Sequence, residues 1–327
     1  MKILAIGEVM MRLTPPNYKL IEQTTTVDLS FSGTGLNILS GLSRNNVQTS
    51  LLTGLPNNAV GKAAASFIRK LGVNDQWLHF SGNHIGTYFL ELGYGNRASQ
   101  VTYLNREASS FCQEEIPREL LRESILNHDL IHVCGIALST SSVSRELILE
   151  TVKIASELNK KIIFDFNYRP SLNQDTDHNR LLNDYKYILS HSFMVFGSPR
   201  DISNVFELDN QTSEELVAEL FEEFPSIEWF SGTVRGENDT LQGVIYQKDT
   251  KVISQVKELT IYDRIGTGDA YAAGILLGFI NNWTLQDTVE FAISCAELSH
   301  TTFGDSPVLD ESFVRLYMKD PFAKVYR

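Results

Sequence analysis

The chain has 327 residues, enough for one large domain or a domain with an appendage. Its formal net charge of −12 argues against a nucleic-acid surface, which needs a basic stripe. It leaves room for an anionic small molecule, which a few arginines and glycine turns can hold inside an acidic protein.

Met1 and Lys2 lead straight into an apolar run at 3–6 that is too short for a signal peptide. No apolar segment reaches the roughly 20 residues of a membrane span. Residues 2–8 read as a buried strand ending near Gly7, residues 9–16 as a short strand stopped by Pro15 and Pro16, and the Thr-rich 24–31 as another strand. The turn Ser32-Gly33-Thr34-Gly35 opens a helix to about Asn45, with Leu36, Leu39 and Leu42 on one face. It is not a dinucleotide fingerprint, since Ile38 stands where the third glycine belongs. Asn37 on that helix is either a solvent residue or a ligand contact.

Residues 49–53 read as a strand and 60–72 as a helix ended by Gly72. Gly61-Lys62 invites a P-loop reading that fails, because Pro56 occupies the required glycine position and Ala63 that of the magnesium-binding Ser or Thr. Residues 86–94 and 100–104 are aromatic-rich strands bridged by 95–98. With the strands between 10 and 31 they predict a small β lid, whose exposed aromatic face predicts pairing with a second lid. Three cysteines without metal spacing, Cys112, Cys134 and Cys295, fit packing roles in a reducing cytoplasm.

From Asn127 the pattern becomes strand–helix–strand, with a strand at 130–134 and a helix at 142–158 capped by Ser141 and Ser142. The strand at 161–165 is continuously apolar, as in a parallel sheet covered on both faces. It runs into Asp165-Phe166-Asn167-Tyr168-Arg169, at a strand's carboxyl end, where open α/β sheets bind ligands. Arg169 suits a sugar-acid carboxylate, to which a guanidinium donates two parallel hydrogen bonds, unless it is a solvated charge. A strand at 193–196 ends in Gly197-Ser198-Pro199-Arg200-Asp201, where Asp201 is a first-turn helix charge or an oxygen donor. A helix at 212–224, a strand at 227–230, a loop at 231–236 and a hairpin at 243–256 follow.

Residues 261–265 then alternate like the end of a half-buried strand, and Gly266-Thr267-Gly268 turns sharply. A helix follows at 270–279. A glycine turn feeding a helix start gathers unpaired N–H groups and the positive end of the helix dipole, an anion site that usually holds phosphate. Asp269 either caps that helix or serves as a base beside the phosphate. The last helix expected, 285–298, carries small residues suited to a flat purine. His300 at its end is a capping residue or a ligand contact.

The stretch DRIGTGDAYAAG, 263–274, resembles the C-terminal signature of the ribokinase/PfkB carbohydrate kinase family, D-T-x-G-A-G-D-x-F-x-x-G. Asp263, Gly266, Gly268, Asp269 and Gly274 match, whereas Arg264, Thr267 and Tyr271 depart. The resemblance implies that Asp269 is the catalytic base and that Gly266, Thr267 and Gly268 form the anion hole. The turn at 32–37 is similar to the family's sugar-binding signature, which implies sugar contacts from Gly33 and Asn37. GTYFLE at 86–91, followed by Tyr103 and Arg106, resembles 2-keto-3-deoxygluconate kinases. That likeness implies Tyr88, Tyr103, Asn105, Arg106 and Arg169 around a keto-acid sugar.

Where the family carries N-x-x-E this chain has Ser198 and Asp201, which implies a water-mediated magnesium contact from Asp201 and a nucleotide contact from Ser198. Where relatives carry a lysine in a nucleotide loop, Thr233 and Arg235 stand in for it. Gly266, Gly268 and His300 complete the implied nucleotide set.

The resemblance covers essentially the whole chain. It implies a three-layer α/β/α fold with a mostly parallel sheet, one domain over 1–327, and a β lid from about 10–31 and 86–105. It further implies a cytoplasmic homodimer, paired through the lid, that uses ATP and Mg2+ to phosphorylate the 6-hydroxyl of 2-keto-3-deoxygluconate, with a potassium requirement left open. A kinase of a neutral sugar and a non-catalytic nucleotide or sugar sensor on the same fold are the alternatives. A nicotinamide dehydrogenase is disfavoured, since no G-x-G-x-x-G follows the first strand.

Overall fold

Strand β1 (Lys2–Ile6) is buried along both faces: Ile3 and Ala5 enter one apolar core, Leu4 and Ile6 another. A strand with no polar face must lie inside a sheet with layers on both sides. The computed structural model describes residues 1–173, 177–208, 211–321 and 323–325. After β1 come β2 (Met10–Thr14), β3 (Asp28–Ser32), α1 (Thr34–Arg44), β4 (Gln48–Leu55), α2 (Ala59–Lys70), β5 (Leu78–Phe80), β6 (Thr87–Glu91) and β7 (Gln100–Leu104). The chain continues through α3 (Ser110–Gln113), α4 (Arg118–Leu126), β8 (Leu130–Cys134), α5 (Ser142–Glu157), β9 (Lys161–Asp165), α6 (His178–Leu189), β10 (Ser192–Phe196), α7 (Pro199–Phe206) and α8 (Ser213–Glu223). It closes with β11 (Trp229–Arg235), β12 (Thr240–Gln247), β13 (Thr250–Ile253), β14 (Lys257–Glu258), α9 (Thr267–Ile280), α10 (Leu285–Ser299) and α11 (Glu311–Lys319).

The main sheet runs in the order β13-β12-β11-β10-β9-β8-β1-β4-β5, with β14 beside β12. Every pairing from β11 to β5 is parallel, and β12, β13 and β14 add an antiparallel edge. Helices α1, α2, α9, α10 and α11 cover one face, and α3 to α8 the other. A second, four-stranded sheet has the order β3-β2-β6-β7, with β2 and β6 parallel and the outer pairs antiparallel. Its inner face packs Met10, Tyr88, Leu90 and Leu92 together, while Leu29, Val101, Tyr103 and Leu104 are exposed. This is the expected three-layer architecture with a small β sheet. Among the described residues no helix is long and apolar enough to cross a membrane.

Four local expectations are corrected. Residues 261–265 are not strand: the N–H groups of Tyr262 and Asp263 both donate to the carbonyl of His300, so the ladder a strand needs is never formed. The 24–31 strand begins only at Asp28, where pairing with Thr14 starts. The strand expected at 227–230 extends to Arg235, because β12 pairs with it out to Leu241. The small residues of α10 are no purine bed. Ala292 is buried against α9, where a Cβ on Gly274 would sit 2.6 Å from its Cα, so they allow two helices to approach closely.

His132, on β8, is fully buried, and neither ring nitrogen has a partner among the described residues. Burial pushes its pKa down from 6.5 to about 4. The unfolded chain therefore binds a proton that the fold excludes, so stability present above pH 6.5 is lost as the pH falls toward 4. Urea unfolding should lose about 2 kcal/mol from this group between about pH 7.5 and about pH 5, and a His132→Leu variant should lose correspondingly less over that interval. Equal losses in the two proteins would contradict this.

Candidate active site

The carboxyl ends of β1, β8, β9 and β10 open into a cleft of about 850 Å³, with Met10, Ser32, Tyr88, Val101 and Tyr103 of the small sheet lining it as well. Ligands of open α/β sheets sit at such ends because the strands stop there and the loops diverge. Helix α9 begins at this point. Its N-cap, Gly266, has φ +78, and a Cβ there would lie 1.9 Å from the carbonyl oxygen of Asp305, so only glycine fits. A Cβ on Gly268 would meet nothing within 4 Å, so its glycine leaves the helix start open to the cleft. No side chain caps α9, and among the described residues no acceptor faces the N–H groups of Thr267, Gly268 or Asp269. Open amides at a helix start attract an anion. The Thr267 hydroxyl turns away from the cleft and donates to the Arg264 carbonyl at 3.2 Å.

Asp269 does not cap the helix. Its Oδ2 accepts a hydrogen bond from Asn37 Nδ2 at 2.6 Å, and the Ser306 hydroxyl donates to Asn37 Oδ1 at 3.1 Å, fixing the amide's orientation. Asn37 is buried on α1, so the solvent-facing alternative is excluded. Desolvation pushes the pKa of Asp269 up to about 7, against the lowering effects of the Asn37 hydrogen bond and the Arg169 charge. Asp165, at the end of β9, is pushed up to about 8 by desolvation and by the nearby Asp269 and Asp201 carboxylates. The cleft thus holds carboxylates that titrate near neutrality, a common property of functional sites.

Around this centre Gly33 opens α1, where a Cβ would strike the Glu8 carbonyl oxygen at 2.1 Å. Tyr88 lines the cleft, its hydroxyl 2.8 Å from both Ser32 Oγ and Asp305 Oδ2. Tyr103 also lines it, beneath the Arg106 guanidinium. Arg106 is not a solvated charge: its Nε donates to Glu8 Oε2 at 2.7 Å, and its buried Nη1 has no partner among the described residues. Arg169 lines the cleft without an ion-pair or hydrogen-bond partner for its side chain among the described residues. Asn105 is exposed, adopts φ 45 and does not line the cleft.

At the other end, Thr233 and Arg235 face the cleft from β11. Ser198 and Asp201 also line it, but they engage each other. Asp201 Oδ2 accepts from the Ser198 amide and hydroxyl at 2.8 and 2.7 Å, a reciprocal cap on α7. His300 is buried outside the cleft lining. Its Nδ1 lies 2.7 Å from the Ala296 carbonyl and its Nε2 3.4 Å from Arg235. It does cap the end of α10, but burial lowers its pKa, so it is a neutral cap rather than the imidazolium that the helix dipole alone would favour.

Sequence reasoning missed Glu8 and Arg12, and it gave Asp165 and Asp305 no role. Glu8 and Asp305 come from remote parts of the chain and meet the site only in the fold. Arg12 carried a signal: a charge in the middle of an alternating strand, between Met10 and Thr14, all three facing inward.

Residues 1–311 match the family model of the pfkB family carbohydrate kinases. A 2-dehydro-3-deoxygalactonokinase of Haloferax volcanii is 26% identical over 100% of this chain and 99% of its own length. A solved structure from Enterococcus faecalis, described as a candidate 2-keto-3-deoxygluconate kinase, superposes with a TM-score of 0.94 at 39% identity, covering 100% of this chain and 99% of that one. The 2-dehydro-3-deoxygluconokinase of Thermotoga maritima superposes with a TM-score of 0.89 at 26% identity over 98% of this chain and 99% of that one. With glycine-opened amides and a near-neutral carboxylate in one cleft, and a family match over nearly all its length, this chain belongs to the pfkB family carbohydrate kinases.

Proposed function

We propose that this sugar kinase works in the cytoplasm and transfers the terminal phosphate of ATP to the 6-hydroxyl of 2-keto-3-deoxygluconate. The arrangement that carries this reading is Asp269 at the open start of α9, facing the unpaired Arg169 in one cleft. Asn37 occupies Oδ2 of Asp269, which leaves Oδ1 for the acceptor hydroxyl. As the hydroxyl oxygen bonds to the γ-phosphorus, its proton passes to Asp269 and the bond to the leaving ADP breaks. A base poised near the working pH suits that transfer. The open amides of Thr267, Gly268 and Asp269 face the charge on the transferring group. Arg235 and Thr233 are placed for the nucleotide's phosphates.

Magnesium binds nucleotides through phosphate oxygens and water, with one or two carboxylates. Asp165 fits that demand: it is desolvated beside two other carboxylates, an excess of negative charge that a cation relieves. Asp165 and Asp201 would hold the ion through its water shell, and the ion, when bound, neutralises phosphate charge. Of the two candidate arginines, Arg169 is the one left without a partner among the described residues for the sugar's carboxylate, since Glu8 already pairs with Arg106. The keto-deoxy sugar acids named for the Haloferax and Thermotoga relatives support an acid substrate. The Glu8–Arg106 pair also supports a second reading, a neutral sugar, because it cancels one of the two candidate charges. The exposed Leu29 and Leu104, on the side of the small sheet away from the cleft, offer a face for a second copy of the chain, and a single-chain mass in solution would count against that.

Asp269→Asn should lower turnover by roughly 10³- to 10⁴-fold while leaving ATP affinity within a few fold. Unchanged turnover would remove Asp269 as the base. In steady-state assays, 2-keto-3-deoxygluconate should be preferred over fructose and ribose, and Arg169→Gln should raise its KM about tenfold or more. A wild-type preference for the neutral sugars would overturn the acid assignment.

A further inference from the structure

Among the described residues, the largest fully buried side chain belongs to a charged residue, Arg12 of β2, at 0% exposure. Its Nε donates to Thr14 Oγ1 at 2.9 Å, its Nη2 to Asp263 Oδ2 at 2.8 Å, and its Nη1 to Asp305 Oδ1. The Phe303 ring centroid lies 5.3 Å from the guanidinium carbon. One guanidinium from the small sheet thus holds two carboxylates that lie 251 and 293 residues away in sequence.

Those carboxylates flank the glycine turn at the start of α9. Asp263 Oδ1 accepts the N–H of Ile265 at 3.0 Å, which shapes the chain just before Gly266. Its Oδ2 also accepts the N–H of Gly304 at 3.3 Å. The carbonyl of Asp305 lies directly against Gly266, where even a Cβ cannot enter. Residues 261–266 have no strand or helix ladder of their own; the His300 carbonyl holds the amides of Tyr262 and Asp263, and the charged network holds the stretch from Asp263 to Gly266. Asp305 Oδ2 accepts the Tyr88 hydroxyl at 2.8 Å, which carries the same network into the sugar end of the cleft.

We propose that Arg12 is a positioning residue for phosphate transfer. Its planar fork fixes Asp263 and Asp305 on either side of Gly266, and so aims the open amides of Thr267 to Asp269. The anion turn is then competent only while the small sheet is seated over the cleft. Lysine cannot replace it, because a point charge does not hold two carboxylates in one plane. The proposal rests on the reading of the α9 turn as the phosphate site. A Gly268→Asp variant, whose Cβ would meet nothing within 4 Å, tests that reading apart from Arg12 by a raised KM for ATP, so the two can fail separately.

The experiment is steady-state kinetics of Arg12→Ala with and without added guanidinium ion. The expected result is a kcat loss of about 100-fold, the scale of a small misplacement, with the sugar KM changed less than about threefold. Guanidinium should recover about tenfold or more of the lost rate, and urea, of the same shape but uncharged, should not. A kcat within about threefold of the parent, or equal recovery by urea, would overturn the proposal. Should Arg12→Ala fail to fold, Arg12→Lys decides: kcat about tenfold lower at an unchanged melting temperature supports it, and an unchanged kcat overturns it.

Discussion

The Asp269 carboxylate sits between opposing influences, and the site depends on their balance. Removal from water favours its protonated form, whereas the Asn37 amide and the Arg169 charge favour the ionised form. The outcome, about 7, makes the group a usable base near neutral pH. Each influence comes from a different part of the fold. Asn37 lies on α1, Arg169 follows β9, and the desolvation comes from a cleft walled partly by the small sheet. On the proposed reading of Asp269 as the base, the rate should rise with pH through that value, since the protonated group cannot accept another proton.

Charge management recurs throughout the cleft. Glu8 pairs with Arg106, whereas Arg169 has no side-chain partner among the described residues, so of these two it is Arg169 that keeps an unbalanced charge. A buried ion pair often stabilises less than apolar packing of the same volume would, so added stability is a weak account of Arg12. Two of its three donated hydrogen bonds, to Asp263 and Asp305, hold loops that lack secondary structure of their own, and the third stays within β2.

Much of this was legible in the sequence where local chemistry decides the outcome. The apolar runs of β8 and β9 fixed those strands to the residue, and Ser141 announced the start of α5. The glycine turn at 266–268 announced the open, uncapped helix start that the fold shows. Legibility failed where partners are distant. The alternation at 261–265 looked like a strand, yet its amides belong to the His300 carbonyl, about forty residues on, and no local pattern records that pairing. Ala292 and its small neighbours looked like a ligand bed because small side chains serve helix contact and ligand contact equally well. Asn105 matched by position but points out of the cleft, since its left-handed backbone turns the chain at that residue. Glu8 gave no local sign, because its role exists only once β1 and the 106–109 segment meet.

The central claim is that the fold holds one aspartate near neutrality before any substrate arrives. Carbon-13 carboxylate NMR of the substrate-free protein measures this directly, with Asp269→Asn identifying the resonance and separating it from that of Asp165. The mechanism predicts a titration midpoint near 7 for Asp269. A midpoint at the ordinary value of 3.8 would contradict it.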